Sequence, residues 1–119
     1  MTQIQIKRVY ETEEESDGFR VLADRLWPRG IKKENLHYDL WAKEITPSPP
    51  LRQWFHQSQG EHWELFKQKY LEELNENPEV AAFLELIKKK KTVTLLYASK
   101  NITQNHAIIL RDYLTSQLQ

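Results

Sequence analysis

The stretch "TVTLLYA" (92–98) constrains the fold more than any other part of the chain, because from Val93 to Tyr97 only Thr94 is polar. A strand without alternation is buried on both faces, as in a sheet with helices on each side. Two further strands precede it. "IQIKRVY" (4–10) sets Ile4, Ile6, Arg8 and Tyr10 against Lys7 and Val9, and "FRVLADRL" (19–26) reads as a second strand. The acidic "ETEEESDG" (11–18) joins them and ends in the turn signal Asp17-Gly18, while Pro28 and Gly30 stop regular structure after the second.

The middle of the chain is helical. Asn35 is placed to cap a helix beginning near Leu36, with Leu40 on the same face. Ser48 before Pro49 is an N-cap followed by proline at the first helical position, and Leu51, Trp54 and Phe55 give that short helix its apolar side. Trp63, Phe66, Tyr70 and Leu74 recur at helical spacing and predict a helix over about 61–76. Asn77-Pro78 repeats the cap-plus-proline signal ahead of Val80, Phe83, Leu84 and Ile87. A last helix from about 103 carries Ala107, Leu110, Leu114 and Leu118 on one face. Strand, strand, helices, strand, helix predicts a single α/β domain over 1–119: a small layered fold whose short sheet of about three strands, mixed or parallel, is flanked by helices.

Composition narrows the function classes. The absence of cysteine removes disulfides, zinc-thiolate sites and cysteine nucleophiles, and suits a reducing compartment. Seventeen basic residues balance seventeen acidic ones, so the chain lacks the basic excess of a protein that grips duplex phosphates. Nucleic acid is therefore a disfavoured partner. "KKKK" (88–91) reads first as cations at a helix C-terminus and second as a phosphate patch. No stretch has the length of a signal-peptide core or a membrane span, so a cytoplasmic protein without a membrane partner is expected. Three glycines cannot build a phosphate loop, no serine sits in a nucleophile elbow, and the four histidines show no i, i+3 or i, i+4 pair. Neither a metal nor a cofactor is expected.

Polar residues concentrate just past two strands. After "FRVLA" come Asp24, Arg25, Trp27 and Arg29; after "TVTLLYA" come Ser99, Lys100 and Asn101, then Asn105 and His106 in the first turn of the last helix. If the two strands are parallel neighbours, both groups meet at the carboxyl edge of the sheet, where ligands of open α/β folds bind. Arg25, Arg29, Lys100 and a helix N-terminus make a phosphate or carboxylate the expected ligand. His106 is the acid–base candidate and Asp24 its orienting group. Tyr97 and Ser99 are hydroxyls at the strand end placed to donate to an oxyanion, Asn105 is a ligand-binding candidate, and Trp27 would be a stacking platform. Structural readings stand beside each role: Asp24 with Arg25 or Arg29 as a loop-pinning ion pair, Trp27 as a core plug, Asn105 and His106 as a helix cap. His56 and Glu44 are lesser candidates. Against a small-molecule site, enzymatic or not, stands a binding module for nucleic acid or protein that uses "KKKK", the arginines and the aromatics.

"KRVYE", "DGFRVLADRLWPRG", "DLWAKEITPSPPLRQWF" and "TLLYASKNITQNHAIILRDYL" together resemble the DUF488 family, in particular its short YeaO-like members, over nearly the whole chain. The resemblance implies a compact α/β domain of bacterial or archaeal cytoplasmic type and supplies no reaction. Its signature positions fall on Asp24, Arg25, Trp27, Pro28, Arg29, Gly30, Tyr97, Lys100, Asn105 and His106. Members of the family commonly carry an acid where this chain has Asn101 and alanine where it has Ser99, so Asn101 is given no catalytic role.

Overall fold

A computed structural model describes residues 1–58 and 61–119. The midpoint of "WFHQSQGEHW", residues 59 and 60, lies outside the described residues. The chain forms β1 (Gln3–Arg8), β2 (Phe19–Leu22), β3 (Leu40–Trp41), α1 (Pro49–Gln57), α2 (Trp63–Glu76), α3 (Glu79–Ile87), β4 (Thr92–Tyr97) and α4 (His106–Leu118). Short 3-10 turns occupy Glu15–Asp17, Lys33–Asn35 and Lys43–Ile45.

Among the described residues the sheet has four strands in the order β1-β4-β2-β3, one more than expected, and every pairing is parallel. The added strand is β3. Its two residues pair Leu40 with Val21 and Trp41 with Leu22. To lie parallel to β2, the chain must return from the carboxyl edge to the amino edge before β3 begins. That return replaces the helix expected after Asn35: Lys33–Asn35 makes a single 3-10 turn, and Leu36 is extended. Leu36 and Leu40 are buried or half-buried through the sheet instead of along a helix face.

The helices pack on one face of the sheet. Ile4, Val21, Ala23, Val93 and Leu95 meet Leu51, Phe66, Tyr70, Leu74, Val80, Phe83, Ile87, Ile109, Leu110 and Leu114 there. Tyr70 is fully buried, and its hydroxyl donates to the Ile45 carbonyl at 2.6 Å. Burial raises its phenol pKa well above the ordinary value, the Glu73 charge adds to this, and Arg25 opposes it. The other face is covered by the chain running between β2 and β3. Val9, Leu22, Leu36 and Leu96 pack there with Trp27, Ile31, Tyr38 and Trp41. The rings of Trp27, Tyr38 and Trp41 meet edge to face, with centroids 5.6–6.5 Å apart. This second layer is what buries both faces of β4.

Nearer the amino edge the same face is polar. Asp17 accepts from Lys7 at 2.7 Å and from the Arg20 guanidinium, and the Thr94 hydroxyl donates to its carbonyl at 2.6 Å. Burial pushes the Asp17 carboxyl upward, but Lys7, the Glu14 amide and Arg20 outweigh it and hold the pKa below the ordinary value. Beside this network His37 joins two chain segments, Nδ1 to Glu13 at 2.5 Å and Nε2 to Asp39 at 3.2 Å.

The hydrogen bond to Glu13 raises the His37 pKa, burial partly opposes it, and the Glu13 and Asp39 charges add to the rise. A raised histidine pKa stabilises the fold in full below the unfolded value of about 6.5, and that stability is lost as pH rises through the higher folded value. Because the ring is half exposed, solvent screening keeps the contribution to no more than about 1 kcal/mol. His56 acts with the opposite sign: burial, then Arg52 and His106, lower its pKa, so its contribution is lost toward acid. Urea unfolding of wild type and His37→Gln at about pH 6 and about pH 8 isolates the His37 part. The wild type is expected to lose more stability than the variant between the two. Equal losses would remove the clamp from the account.

Candidate functional site

Register explains how the site forms. In β1 through β4 each parallel rung links an amide to the carbonyl of the neighbouring strand, and the last regular rung between β2 and β4 is the Ala23 amide on the Leu96 carbonyl at 2.9 Å. The next rung would join the Ala98 amide to the Ala23 carbonyl. It is opened, and each half is taken by a side chain. Asp24 Oδ2 accepts from the Ala98 amide at 2.9 Å, and His106 Nε2 donates to the Ala23 carbonyl at 2.5 Å. The same Nε2 lies 3.0 Å from Asp24 Oδ1. Asp24 and His106 therefore bridge the splaying ends of β2 and β4, directly under the start of α4.

A carbonyl only accepts, so Nε2 carries a hydrogen. Every fully buried side-chain nitrogen and oxygen among the described residues has a partner, and Nδ1 has none among them, so it keeps some access to solvent. Trp41 fixes the other end of the assembly, its Nε1 donating to the Asp24 carbonyl at 2.7 Å. Arg8 holds the outgoing chain of β4: Nε donates to the Ser99 carbonyl at 2.9 Å and Nη2 to the Ala98 carbonyl at 3.1 Å. Its guanidinium also lies 4.8 Å from the Tyr10 ring centroid.

The other sequence candidates take varied places. Asn105 is the N-cap of α4: its Oδ1 accepts from the Ile108 amide at 3.1 Å and its Nδ2 donates to the Asn101 carbonyl at 2.9 Å. Tyr97 is buried beside it. Burial raises its phenol pKa, Glu11 adds to the rise, and Arg8 and Asn105 oppose it. Trp27 anchors its own loop, Nε1 donating to the Ile31 carbonyl at 2.7 Å within the aromatic cluster. Arg25 turns away from Asp24 toward Pro47, whose carbonyl lies 3.4 Å from its Nε, and lines a cleft of about 310 Å³ with Glu44, Ser48 and Glu73. Arg29 and Lys100 are exposed on loops at the carboxyl edge, and the Arg29 carbonyl accepts from the Tyr10 hydroxyl at 3.0 Å. Among the described residues, Arg25, Arg29, Arg52 and Lys100 form no ion pair.

His56, far from His106 in sequence, has its pKa lowered first by burial, with Arg52 and His106 adding to the fall. Asn101 organises its own loop, its Oδ1 accepting from the Thr103 and Gln104 amides. Arg8 and Trp41 escape a search for polar residues past strand ends, because one is the last residue of its strand and the other reads as part of an apolar face. Among the described residues, no group of three or more His, Asp or Glu side chains converges as a metal site requires. Among the same residues, no helix is long and apolar enough to cross a membrane.

The family model described as "Inactive DUF488-N3 subclade" matches residues 3–119. The chain is 53% identical over 115 residues to the uncharacterised protein YeaO of Escherichia coli strain K12, covering 95% of this chain and 97% of that protein. It is 35% identical over 116 residues to the uncharacterised proteins Mb3100c of Mycobacterium bovis and Rv3073c of Mycobacterium tuberculosis, covering 98% of this chain and 97% of each. No solved structure matches the chain.

Proposed function

We propose, from the premise that this chain belongs to the DUF488 family, that the carboxyl edge of its sheet binds a small phosphate- or carboxylate-bearing molecule without transforming it. One observation carries the reading: the opened rung, in which Asp24 and His106 replace the pairing of Ala23 with Ala98 and leave His106 Nδ1 without a partner among the described residues. A structural lock needs the first half of that arrangement but not an unpartnered nitrogen. With Nε2–H held by Asp24 and Ala23, Nδ1 is the ring nitrogen left to meet an oxygen of the ligand. The N-terminal end of α4 favours anionic oxygens, and Lys100 and Arg29 are exposed cations on the loops of the same edge. The subclade's description as inactive favours binding over turnover.

A nucleic-acid module based on residues 88–91 has less support. Lys88 pairs with Glu85 at 2.7 Å, and Lys90 lies 4.6 Å from the Phe19 ring centroid, which leaves Lys89 and Lys91 as the pair of the run with neither an ion pair nor such a ring contact among the described residues.

Thermal denaturation with inorganic phosphate, a sugar phosphate, a mononucleotide and a dicarboxylate tests the proposal. A ligand at about one hundred times its Kd adds about 2.7 kcal/mol of stability, which for a domain of this size raises Tm by roughly 10 °C. His106→Ala is expected to abolish that rise, and Asp24→Asn to reduce it. No rise with any of these anions, or an equal rise in His106→Ala, would remove the site from this edge.

A further inference from the structure

We propose that β1 is an association edge through which two copies of this chain pair antiparallel into one continuous sheet. Among the described residues β1 is an outer strand, hydrogen-bonded only to β4. The Gln3 amide donates to Lys91 and the Val9 amide to Tyr97, so the odd-numbered backbone groups of β1 face β4. The even-numbered groups therefore face outward. Those of Arg8 are closed off, because the Glu11 carboxylate accepts from the Arg8 amide at 2.8 Å and the Glu11 amide donates to the Arg8 carbonyl at 3.1 Å. The amides and carbonyls of Ile4 and Ile6 have no partner among the described residues.

Exposed edges are normally guarded by a charge on the strand, a proline, a bulge or a covering segment. This one has none of them across Ile4 and Ile6. The strand is regular, and the one charge between its ends is withdrawn: Lys7 Nζ is bound to Asp17 at 2.7 Å and to the Thr12 carbonyl at 2.9 Å on the sheet face. The acidic chain after Arg8 runs back over that face, where Gln5 donates to the Ser16 carbonyl, so it leaves the edge open.

The occupant follows from self-complementarity. A twofold axis through Gln5 sets Ile4 opposite Ile6 of the second copy, and Ile6 opposite Ile4. Both are residues whose backbone groups point outward, so each pair exchanges an amide and a carbonyl in both directions. The same register sets Gln3 opposite Lys7, and Gln5 opposite itself. No like charges oppose each other, and isoleucine meets isoleucine on the helix-covered face. A strand of unrelated sequence has no reason to match both patterns at once.

Sedimentation of the full chain over a wide concentration range, with hydrogen exchange read at single amides, tests this. A dimer is expected, with the Ile4 and Ile6 amides protected at high concentration and exchanging faster on dilution. Ile6→Pro is expected to be monomeric with an unchanged helical signal, because the amide it removes faces away from β4 and edge strands tolerate such a proline. Should Ile6→Pro fail to fold, the exchange of the wild-type amides decides. A wild type that stays monomeric at every concentration would overturn the proposal, as would a dimer in which the Ile4 and Ile6 amides exchange freely.

Discussion

Asp17→Ala is expected to lower the folding stability by about 3–5 kcal/mol, the cost of leaving a buried charge without its partner. Asp17 is 1% exposed and Arg20 3%, so the guanidinium cannot turn to water when the carboxylate is lost. Arg20 would keep the His37 carbonyl, to which its Nε donates at 2.8 Å, as its neutral acceptor. Lys7 would fall back on Glu14 at 3.1 Å, an exposed pair of small worth. The Glu14 amide would also lose the Asp17 carboxylate that caps the 3-10 turn at 3.1 Å. For a domain stabilised by about 5–15 kcal/mol in all, this is a large fraction. Urea denaturation should show the midpoint falling with little change in slope. A loss under about 1 kcal/mol would show that the network stabilises far less than its burial implies.

Gly18→Ala comes next in size and acts beside it. Gly18 has φ +63°, and a Cβ there would lie 2.5 Å from the Thr92 carbonyl oxygen, in the backbone of β4. The obstacle cannot rotate away, because Thr92 begins the central strand. Backbone strain and overpacking of about 1–3 kcal/mol each give an expected cost of about 2–6 kcal/mol. The contrast is Gly30→Ala at φ +78°, where nothing lies within 4 Å and only the strain remains. Equal losses at the two positions would show that the contact with Thr92 relaxes without cost.

The elements legible in the sequence are those long enough to show a period. β4 reads as doubly buried because five successive residues face one layer or the other. α1 and α2 fall close to their expected positions because Ser48-Pro49 and the Trp63–Leu74 stripe are local signals. Two residues of β3 cannot show a period, and their place depends on the path of the chain after Trp27, so the fourth strand was invisible. Asn77 caps from one residue earlier than the proline signal suggests: its Oδ1 accepts from the Glu79 amide while Pro78 stands at the cap position.

In the site, the region was legible but the partners were not. Asp24 and His106 are conspicuous because both follow strands, and the parallel pairing of β2 with β4 brings them to 3.0 Å. Trp27 and Asn105 look equally conspicuous, yet one anchors its loop and the other caps α4. Arg25 follows Asp24 in sequence but lies in the bend after β2 and reaches toward Pro47 instead. Nothing in the sequence around Lys7 and Arg20 announces their burial. Only the crossing of the 11–18 segment over the sheet supplies the carboxylate that lets them be buried.

The central claim is that the opened rung between Ala23 and Ala98 is a ligand site. Amide and imidazole NMR during titration with inorganic phosphate tests it most directly. The account predicts saturable shifts confined to Asp24, Ala98, the first turn of α4 and the His106 ring, with Nδ1 changing most and Nε2 retaining its proton. Shifts confined to Lys88–Lys91, or a His106 ring indifferent to the anion at saturation, would contradict it.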